Sequence, residues 1–358
     1  MRPLFRSQFL LKTMTDETIT AYRALAMQVE CRAVNAARDR AEARAQMADS
    51  IARIGRQIAA SIAFIGFDTK LVVLPEYFLT GFPLGESIAA WADKAALEID
   101  GPEYEALGRI AQDRKIFLSG NAYELDKHFP GLYFQTSFVI NPAGEVCLRY
   151  RRLNSMFAPT PHDVWDKYLE IYGLDGVFPV AKTEIGNLAA IASEEILYPE
   201  IARCLVMRGA EVFLHSTSEP QSRNLSNKDI AKRARAIENL AYVVSANSAG
   251  ITGTDIPAGA TDGGSQIIDY TGHLLAEAGP GENMAAYAEI DLEALRRYRR
   301  RPGMFNILSR QRFELYAASY SQHSFYPANT LLNTAAERAH FLNTQKETIA
   351  RLSNEQII

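Results

Sequence analysis

The chain carries the stretch LVVLPEY at residues 71–77, which combines a continuous apolar run with a proline and a carboxylate. Four apolar residues that end at Pro75 are typical of a buried strand that leaves its sheet and enters a loop. A second stretch, LAAIASEE at residues 188–195, places Ser193, Glu194 and Glu195 behind another apolar run. Because α/β proteins place their sites beyond the carboxyl ends of their strands, both stretches predict site residues.

Helices and strands alternate on both sides of these two stretches. Apolar residues step by three or four along residues 35–64, which predicts a long amphipathic helix, and residues 154–178 are predicted to be a loop-rich insertion. The other predicted elements are helices at 104–114, 199–208 and 227–240, strands at 24–29, 116–119, 211–215, 242–247, 265–269 and 273–278, and two strands that flank the turn at 141–144. This alternation indicates an α/β fold with one main domain.

The composition excludes several classes of protein. With 358 residues, 47% of them hydrophobic and 22% charged, the chain resembles an ordinary soluble globular protein. Its net charge of -4 provides no basic field for nucleic acid, and no apolar run reaches the roughly 18 residues of a membrane helix, so we expect neither partner. The three cysteines form no CxxC pair, which favours a cytoplasmic location. Neither metal-ligand spacing nor a phosphate-binding glycine loop is present, so no cofactor is expected.

An ordered series of motifs resembles the carbon–nitrogen hydrolase (nitrilase) superfamily over roughly residues 21–300. LPEY at 74–77 resembles the segment of the catalytic glutamate, and Gly144 followed by YRR at 150–152 resembles the segment of the catalytic lysine. SEEILYPEIAR at 193–203 resembles the nucleophile segment, most closely that of the aliphatic amidases, in which two acidic residues follow a cysteine. The series continues with GAE at 209–211, RAIEN at 235–239, Asn247 and GSQIID at 264–269.

The resemblance implies an architecture as well as a site. The expected fold is a four-layer α-β-β-α sandwich, in which two sheets stack face to face and helices cover both outer faces. The family also implies a homodimer or higher homo-oligomer that packs through the helix near residues 198–208. We predict an N-terminal arm at 1–20, a carbon–nitrogen hydrolase-like domain at 21–302 and a C-terminal extension at 303–358. The extension has too many aromatic residues to leave in water, so we expect it to pack on the core or on a partner subunit.

The chemistry that the resemblance implies is acyl transfer from an amide or nitrile carbon. In the family, the glutamate takes a proton, the cysteine attacks and the lysine stabilises the oxyanion. The corresponding residues here are Glu76, Ser193 and Arg152, so only the glutamate is unchanged. A serine hydroxyl is far less acidic than a thiol, and a planar guanidinium does not replace a compact ammonium without shifts in position.

Further residues are predicted to bind substrate or to lie near the site. Tyr77 and Glu195 adjoin the catalytic positions, and Glu195 is expected to add negative charge or to hold Arg152. In the insertion, Trp165 is expected to line the pocket entrance. The second acidic residue that often assists in this family is expected to be Asp163 or Asp166, and Asp166 is taken as a substrate-binding candidate. No histidine lies in a matching motif, although two are candidates for spatial neighbours, and the three cysteines are expected to be small core residues. These residues are His162, His215, Cys31, Cys147 and Cys204.

Three interpretations of this site stay open. The protein is an active hydrolase of a small amide or nitrile that uses Ser193 or a water activated by Glu76, or it is a catalytically silent relative that binds a small ligand or a protein partner. The third interpretation is a Cys-to-Ser variant of an active amidase, made to trap a complex. Arg152 argues against this third interpretation, because trapping does not require a second change. The two replacements predict very slow hydrolysis of simple amides, or none.

Overall fold

The computed structural model describes residues 19–220 and 224–358 and confirms the predicted four-layer sandwich. The predicted arm at 1–20 lies outside the described residues except for its last two positions. The strands of the described part are β1 (Tyr22–Ala26), β2 (Cys31–Arg32), β3 (Thr69–Val73), β4 (Phe117–Leu125), β5 (Tyr133–Ile140), β6 (Val146–Arg151), β7 (Ala181–Thr183), β8 (Gly186–Ala192), β9 (Val212–Ser216), β10 (Tyr242–Ala246), β11 (Ile251–Thr252), β12 (Gln266–Ile268), β13 (Leu274–Glu277) and β14 (Tyr287–Ile290).

Helices cover the outer faces of the two sheets. The α-helices of the described part are α1 (Arg40–Ile65), α2 (Ile88–Ala95), α3 (Pro102–Arg114), α4 (Trp165–Val177), α5 (Pro199–Met207), α6 (Asn227–Asn239), α7 (Leu292–Arg300), α8 (Phe313–Tyr320) and α9 (Arg338–Asn354). Within the part of the chain that the structure describes, none of these helices is long and apolar enough to cross a membrane.

The two six-stranded sheets have the same plan. The first has the order β14-β1-β3-β4-β5-β6, and the second has the order β13-β12-β10-β9-β8-β7. In each sheet three central strands run parallel, namely β1, β3 and β4 in the first and β8, β9 and β10 in the second, and the flanking strands are antiparallel. Glu76 follows β3 and Ser193 follows β8, so both lie beyond the carboxyl ends of parallel strands.

The apolar run at 71–74 is continuous because both faces of β3 are covered. Leu71 and Val73 pack in the cluster between the two sheets, whereas Val72 and Leu74 pack in the cluster beneath α1. The predicted apolar stripe of α1 faces the same outer cluster, with Met47, Ile51, Ile54, Ile58 and Ile62 all buried. Alternating side chains of one strand therefore join two layers of the sandwich.

Three helical regions differ from the prediction. The long helix begins at Arg40 instead of residue 35, because the Asp39 side chain accepts a hydrogen bond from the backbone N–H of Glu42 and caps the helix there. Helix α2 was not predicted. The insertion at 154–178 was predicted to be rich in loops, but α4 occupies half of it. This prediction was wrong because tertiary packing stabilises α4: Tyr172 lies 4.8 Å from the guanidinium of Arg151.

The described C-terminal residues pack on the rest of the same chain. Phe341 and Leu352 on α9 are buried, and Phe341 belongs to the cluster beneath α1. The backbone N–H of Leu331 donates to the carbonyl of Asp163 at 2.9 Å, which ties the extension to the insertion. Helix α8 instead leaves Leu315, Tyr316 and Tyr320 exposed on the surface. The predicted homo-oligomer and domain boundaries stay predictions.

Candidate active site

A cavity of about 690 Å³ lies beyond the carboxyl ends of β3 and β8. Glu76, Arg152 and Ser193 all line it, and each of them is at most 6% exposed. Tyr77 lines the same cavity, and its ring stacks on that of Tyr123 at 5.3 Å. The structure therefore brings the three predicted catalytic residues together. From here on, we call this space the catalytic cavity.

Gln135 on β5 links the glutamate to the arginine. Its amide nitrogen donates to Glu76 Oε1 at 2.7 Å and to Asn121 Oδ1 at 3.0 Å, and its Oε1 accepts from Arg152 Nη1 at 2.8 Å. Arg152 Nη1 also lies 3.4 Å from Glu76 Oε1. Both of these contacts reach Oε1, and the hydroxyl of Tyr77 is a further hydrogen-bonding neighbour of the carboxylate. Gln135, Arg152 and Tyr77 therefore hold the carboxylate in the wall of the cavity.

Most of the donors of Arg152 are already used. Its Nε donates to the carbonyl of Asn154 at 2.6 Å, its Nη1 donates to Gln135 and Glu76, and its Nη2 donates to Glu194. Burial disfavours the positive charge, but Tyr77 and the neighbouring carboxylates outweigh burial and raise the pKa of Arg152 above its usual value. Arg152 therefore stays charged, and among the described residues one of its five N–H groups, on Nη2, has no partner.

The backbone of Ser193 is fixed by a buried histidine. Ser193 has a φ of 50°, in the left-handed region, and begins the short 3-10 turn Ser193–Leu197. His215 Nε2 lies 2.8 Å from the carbonyl oxygen of Ser193, and its Nδ1 lies 2.8 Å from Ser245 Oγ. Because a carbonyl only accepts, Nε2 carries the proton and Nδ1 accepts from Ser245. Burial lowers the pKa of His215 well below its usual value, so His215 is a neutral positioning residue.

No hydrogen bond joins the Ser193 hydroxyl to any described residue. His215 therefore lies next to Ser193, as the sequence allowed, but its ring nitrogens are both occupied by other atoms. A histidine relay of the kind that activates the serine of other hydrolases is absent from the described part of this site. Glu76, which lines the same cavity, is the side chain that is left to accept a proton from Ser193.

The two glutamates that follow Ser193 have opposite surroundings. The side chain of Glu194 is 42% exposed, lines the catalytic cavity and forms the ion pair with Arg152. Glu195 is fully buried, and burial raises its pKa to about 7 even though Arg152 and several hydrogen bonds act to lower it. Its carboxylate accepts from the hydroxyl of Tyr150 at 2.7 Å and from the backbone N–H groups of Leu153 at 2.7 Å and Asn154 at 2.8 Å.

Glu195 therefore holds the segment that follows Arg152 and does not line the catalytic cavity. The expected hold on Arg152 is indirect, through the backbone, whereas the direct ion pair comes from Glu194. We call residues 193–195 the elbow. Its cavity side consists of the Ser193 hydroxyl and Glu194, and its interior side consists of the Ser193 carbonyl and Glu195.

The two predicted residues of the insertion lie apart. Trp165 lines a second cavity of about 700 Å³, and His162 lies beside it with ring centroids 6.0 Å apart. Asp166 is exposed and lines neither cavity, so the structure does not bring it to the site. Trp165 and Asp166 are consecutive residues of α4, and consecutive side chains of a helix point about 100° apart, so the two side chains face different surroundings. The backbone N–H of Asp166 donates to Asn329 Oδ1 at 2.9 Å.

Sequence reasoning missed several polar residues that line the catalytic cavity, namely Gln135, Ser155, Ser218, Lys228 and Arg338. Lys228, in the first turn of α6, has its Nζ 3.4 Å from Thr217 Oγ1 and 3.6 Å from Glu219 Oε2. Gln135 was detectable as a polar residue within the apolar strand YFQTSFVI at 133–140. Lys228 lies on the same helix as the RAIEN segment but before it, and Arg338 lies on α9 outside the motif series, so neither residue belongs to a motif.

The cysteines do not supply a replacement nucleophile. Cys31 is buried, as expected, whereas Cys204 is half-buried and Cys147 is exposed, so the prediction of a core position for Cys147 was wrong. Cys147 lies on the edge strand β6, where one face is not covered. None of the three lines the catalytic cavity. Among the described residues, no group of three or more His, Cys, Asp or Glu residues is arranged to hold a metal ion.

Comparison with known proteins agrees with this geometry. The model of the carbon–nitrogen hydrolase family matches residues 23–300. The chain is 24% identical over 251 residues to the omega-amidase NIT3 of Saccharomyces cerevisiae, which covers 70% of this chain and 83% of the relative. It is also 24% identical over 248 residues to the human omega-amidase NIT2, and this match covers 69% of this chain and 85% of the relative. The fold is similar to the crystal structure of Saccharomyces cerevisiae Nit3, with a TM-score of 0.61, 22% identity, and 78% of this chain and 93% of that chain covered. The chain therefore belongs to the carbon–nitrogen hydrolase family.

Proposed function

We propose that the catalytic cavity binds a small non-peptide amide or nitrile and that Ser193 is the nucleophile that attacks it. The observation that carries this proposal is that three groups of the right kind line one cavity. They are the carboxylate of Glu76 together with the hydroxyl of Ser193 and the last N–H of Arg152, neither of which has a partner among the described residues. An acyl-transfer site needs these three functions, namely a nucleophile, a base and an oxyanion donor. The omega-amidase relatives add support from sequence.

The steps for an amide follow from these roles. Glu76 takes the proton of the Ser193 hydroxyl while Oγ attacks the carbonyl carbon, and the oxyanion accepts the free N–H of Arg152. When the C–N bond breaks, the proton moves from Glu76 to the leaving nitrogen, so ammonia departs and an ester remains on Ser193. Water that is deprotonated by Glu76 then attacks the ester, which releases the carboxylic acid and restores the hydroxyl.

Turnover by this site is expected to be slow. An alcohol is a much weaker acid than a thiol. The base is the carboxylate of Glu76, whose Oε1 is already bound to Gln135 and Arg152. His215 does not assist, because its Nε2–H is directed at the carbonyl of Ser193. Arg152 contributes one free donor, whereas the ammonium of a lysine has three rotatable donors. Lys228 is a second cation on the same wall that an oxyanion could approach.

A catalytically silent homologue is the second candidate. The observation that favours it is the occupation of four of the five N–H groups of Arg152 by Asn154, Gln135, Glu76 and Glu194. In that case, the cavity binds a small amide without cleaving it. The two candidates differ in whether bound ligand releases ammonia, which can be measured directly.

The test is ammonia release from a panel of small amides and nitriles, with four proteins compared. The wild type is expected to release ammonia slowly, and Ser193→Ala and Glu76→Gln are expected to abolish the release. Ser353→Ala, which removes an exposed hydroxyl on α9, is the matched control and is expected to behave like the wild type. Release that survives Ser193→Ala but not Glu76→Gln would assign the attack to a water molecule. Saturable binding without any release would favour the silent homologue.

A further inference from the structure

The second cavity, of about 700 Å³, adjoins the catalytic cavity. The two share Ser155, Met156 and Glu194 as lining residues. A ligand whose reacting carbon lies at Ser193 therefore has room for a substituent that passes Glu194 and enters the second space. We call this space the aromatic cavity.

Aromatic rings dominate the wall of the aromatic cavity. His162 lies between Trp165 and Tyr326, with centroid distances of 6.0 and 6.4 Å. Tyr198 and Phe325 also line this cavity, and they are 43% and 48% exposed. Large exposed rings around a concave space are typical of a ligand site, because water is a poor partner for their faces. The faces of Trp and Tyr also attract cations.

The charged residues of this wall are all acidic. Its lining contains Asp163 and Glu194 and, among the described residues, neither lysine nor arginine. Asp163 is 2% exposed and has no cationic partner within the described residues. Its carboxylate accepts from the backbone N–H of Thr160 at 2.9 Å and from the hydroxyls of Thr160 and Thr330 at 2.8 Å each.

The neighbouring imidazole does not balance this charge. Burial lowers the pKa of His162 below its usual value, so the ring is neutral near pH 7. Glu194 has Arg152 as its partner, whereas Asp163 has hydrogen bonds alone. The carboxylate of Asp163 closes the capping box of the turn at 161–164 through these hydrogen bonds, and a cation that enters the cavity would add the opposite charge that it lacks among the described residues. A neutral aromatic ligand would fill the space but would bring no positive charge to Asp163, and an anionic ligand would be repelled.

We propose that the aromatic cavity binds an alkylammonium group, and that the substrate of the catalytic cavity is a small amide or nitrile that carries such a group. The second half of this proposal rests on the proposed function, whereas the binding of the cation does not. The rings of Trp165 and Tyr326 contact the methyl or methylene groups around the nitrogen, and Asp163 and Glu194 supply the negative field.

The test uses choline and its neutral isostere 3,3-dimethyl-1-butanol, with dissociation constants measured by calorimetry. Choline is expected to bind at least about tenfold more tightly than the isostere, because a cation–π contact and the acidic wall favour the charged ligand over a neutral one of the same shape. Trp165→Leu is expected to remove this preference, and Tyr316→Leu, which removes an exposed ring on α8, is the matched control. Ser193→Ala is expected to bind choline like the wild type, so this result does not depend on catalysis.

Glu194→Gln is a second variant, at a residue that lines both cavities, so a folding defect in Trp165→Leu alone does not decide the outcome. Glu194→Gln is expected to weaken choline binding about threefold or more. Equal affinity for choline and the isostere, or a preference that survives both Trp165→Leu and Glu194→Gln, would overturn the proposal. The substrate class is tested by binding of 5-aminopentanamide and hexanamide to Ser193→Ala. Tighter binding of the ammonium-bearing amide by about tenfold is expected, and equal binding would overturn that half.

Discussion

The two sides of the elbow at residues 193–195 have different surroundings. On the interior side, Glu195 and the carbonyl of Ser193 have all their hydrogen bonds supplied by Tyr150, His215 and the segment after Arg152. On the cavity side, the Ser193 hydroxyl has no partner within the described residues, and Glu194 is 42% exposed. The interior side therefore maintains the backbone, and the cavity side is available to a ligand. With serine at residue 193, the hydrogen bonds of the interior side of the elbow are all made.

The largest effect is expected from Glu195→Ala on the interior side. The change leaves the hydroxyl of Tyr150 and two backbone N–H groups buried without acceptors. Each such group costs about 1–3 kcal/mol, so the free energy of unfolding is expected to fall by about 3–5 kcal/mol in urea titrations at pH 6. Glu194→Ala is the matched control, with an expected loss of about 1 kcal/mol. Equal losses in the two variants would remove the distinction between the two sides.

The next effect is a dependence of stability on pH that comes from Glu195. Its folded pKa of about 7 lies above the usual value of 4.5, so the folded state binds the proton more tightly than the unfolded chain. The stabilisation is therefore complete below about pH 4.5 and is lost as the pH rises through about 7, by up to about 3 kcal/mol. The Glu195→Gln variant cannot titrate at this position, so the difference between its free energy of unfolding in urea and that of the wild type is expected to change by this amount between pH 4 and pH 8. Parallel curves would contradict the assignment.

A gain of activity is expected on the cavity side. Ser193→Cys supplies a nucleophile that is partly ionised near pH 7, and Arg152→Lys supplies a compact ammonium with free donors. The double variant is expected to release ammonia from small amides on the order of 10²-fold faster than the wild type. Each single variant is expected to fall between the two. A folded double variant that binds amides without cleaving them would indicate that the bound carbonyl is out of reach of residue 193.

The smallest effect concerns His215. Because burial lowers its pKa well below the usual value of 6.5, the ring is expected to stay neutral and to keep its proton on Nε2 at pH 6.5 and above. Nitrogen chemical shifts of a ¹⁵N-histidine-labelled sample would show a single unchanging tautomer for this residue. A change of these shifts between pH 6 and 7 would instead show that His215 titrates, which would make it a candidate base on the interior side of the elbow.

Residues that lie just beyond strands were predictable from the sequence. Glu76 and Ser193 follow apolar runs whose ends define the edge of each sheet, so their position follows from local pattern. Gln135, Lys228 and Arg338 reach the cavity from separate elements, and only the tertiary arrangement brings them there. Trp165 and Asp166 are neighbours in sequence, but the phase of α4 directs one to a cavity and the other to solvent.

The most direct test of the account is the acylation of Ser193. The protein is incubated with small amides, nitriles and the p-nitrophenyl esters of the same acids, whose better leaving group allows the acylated state to accumulate, and intact mass is measured after an acid quench. The account predicts an added acyl mass that peptide mapping locates at Ser193, with no such addition in Ser193→Ala and a strongly reduced one in Glu76→Gln. An adduct at another residue, or ligands that bind in the catalytic cavity without ever acylating Ser193, would contradict it.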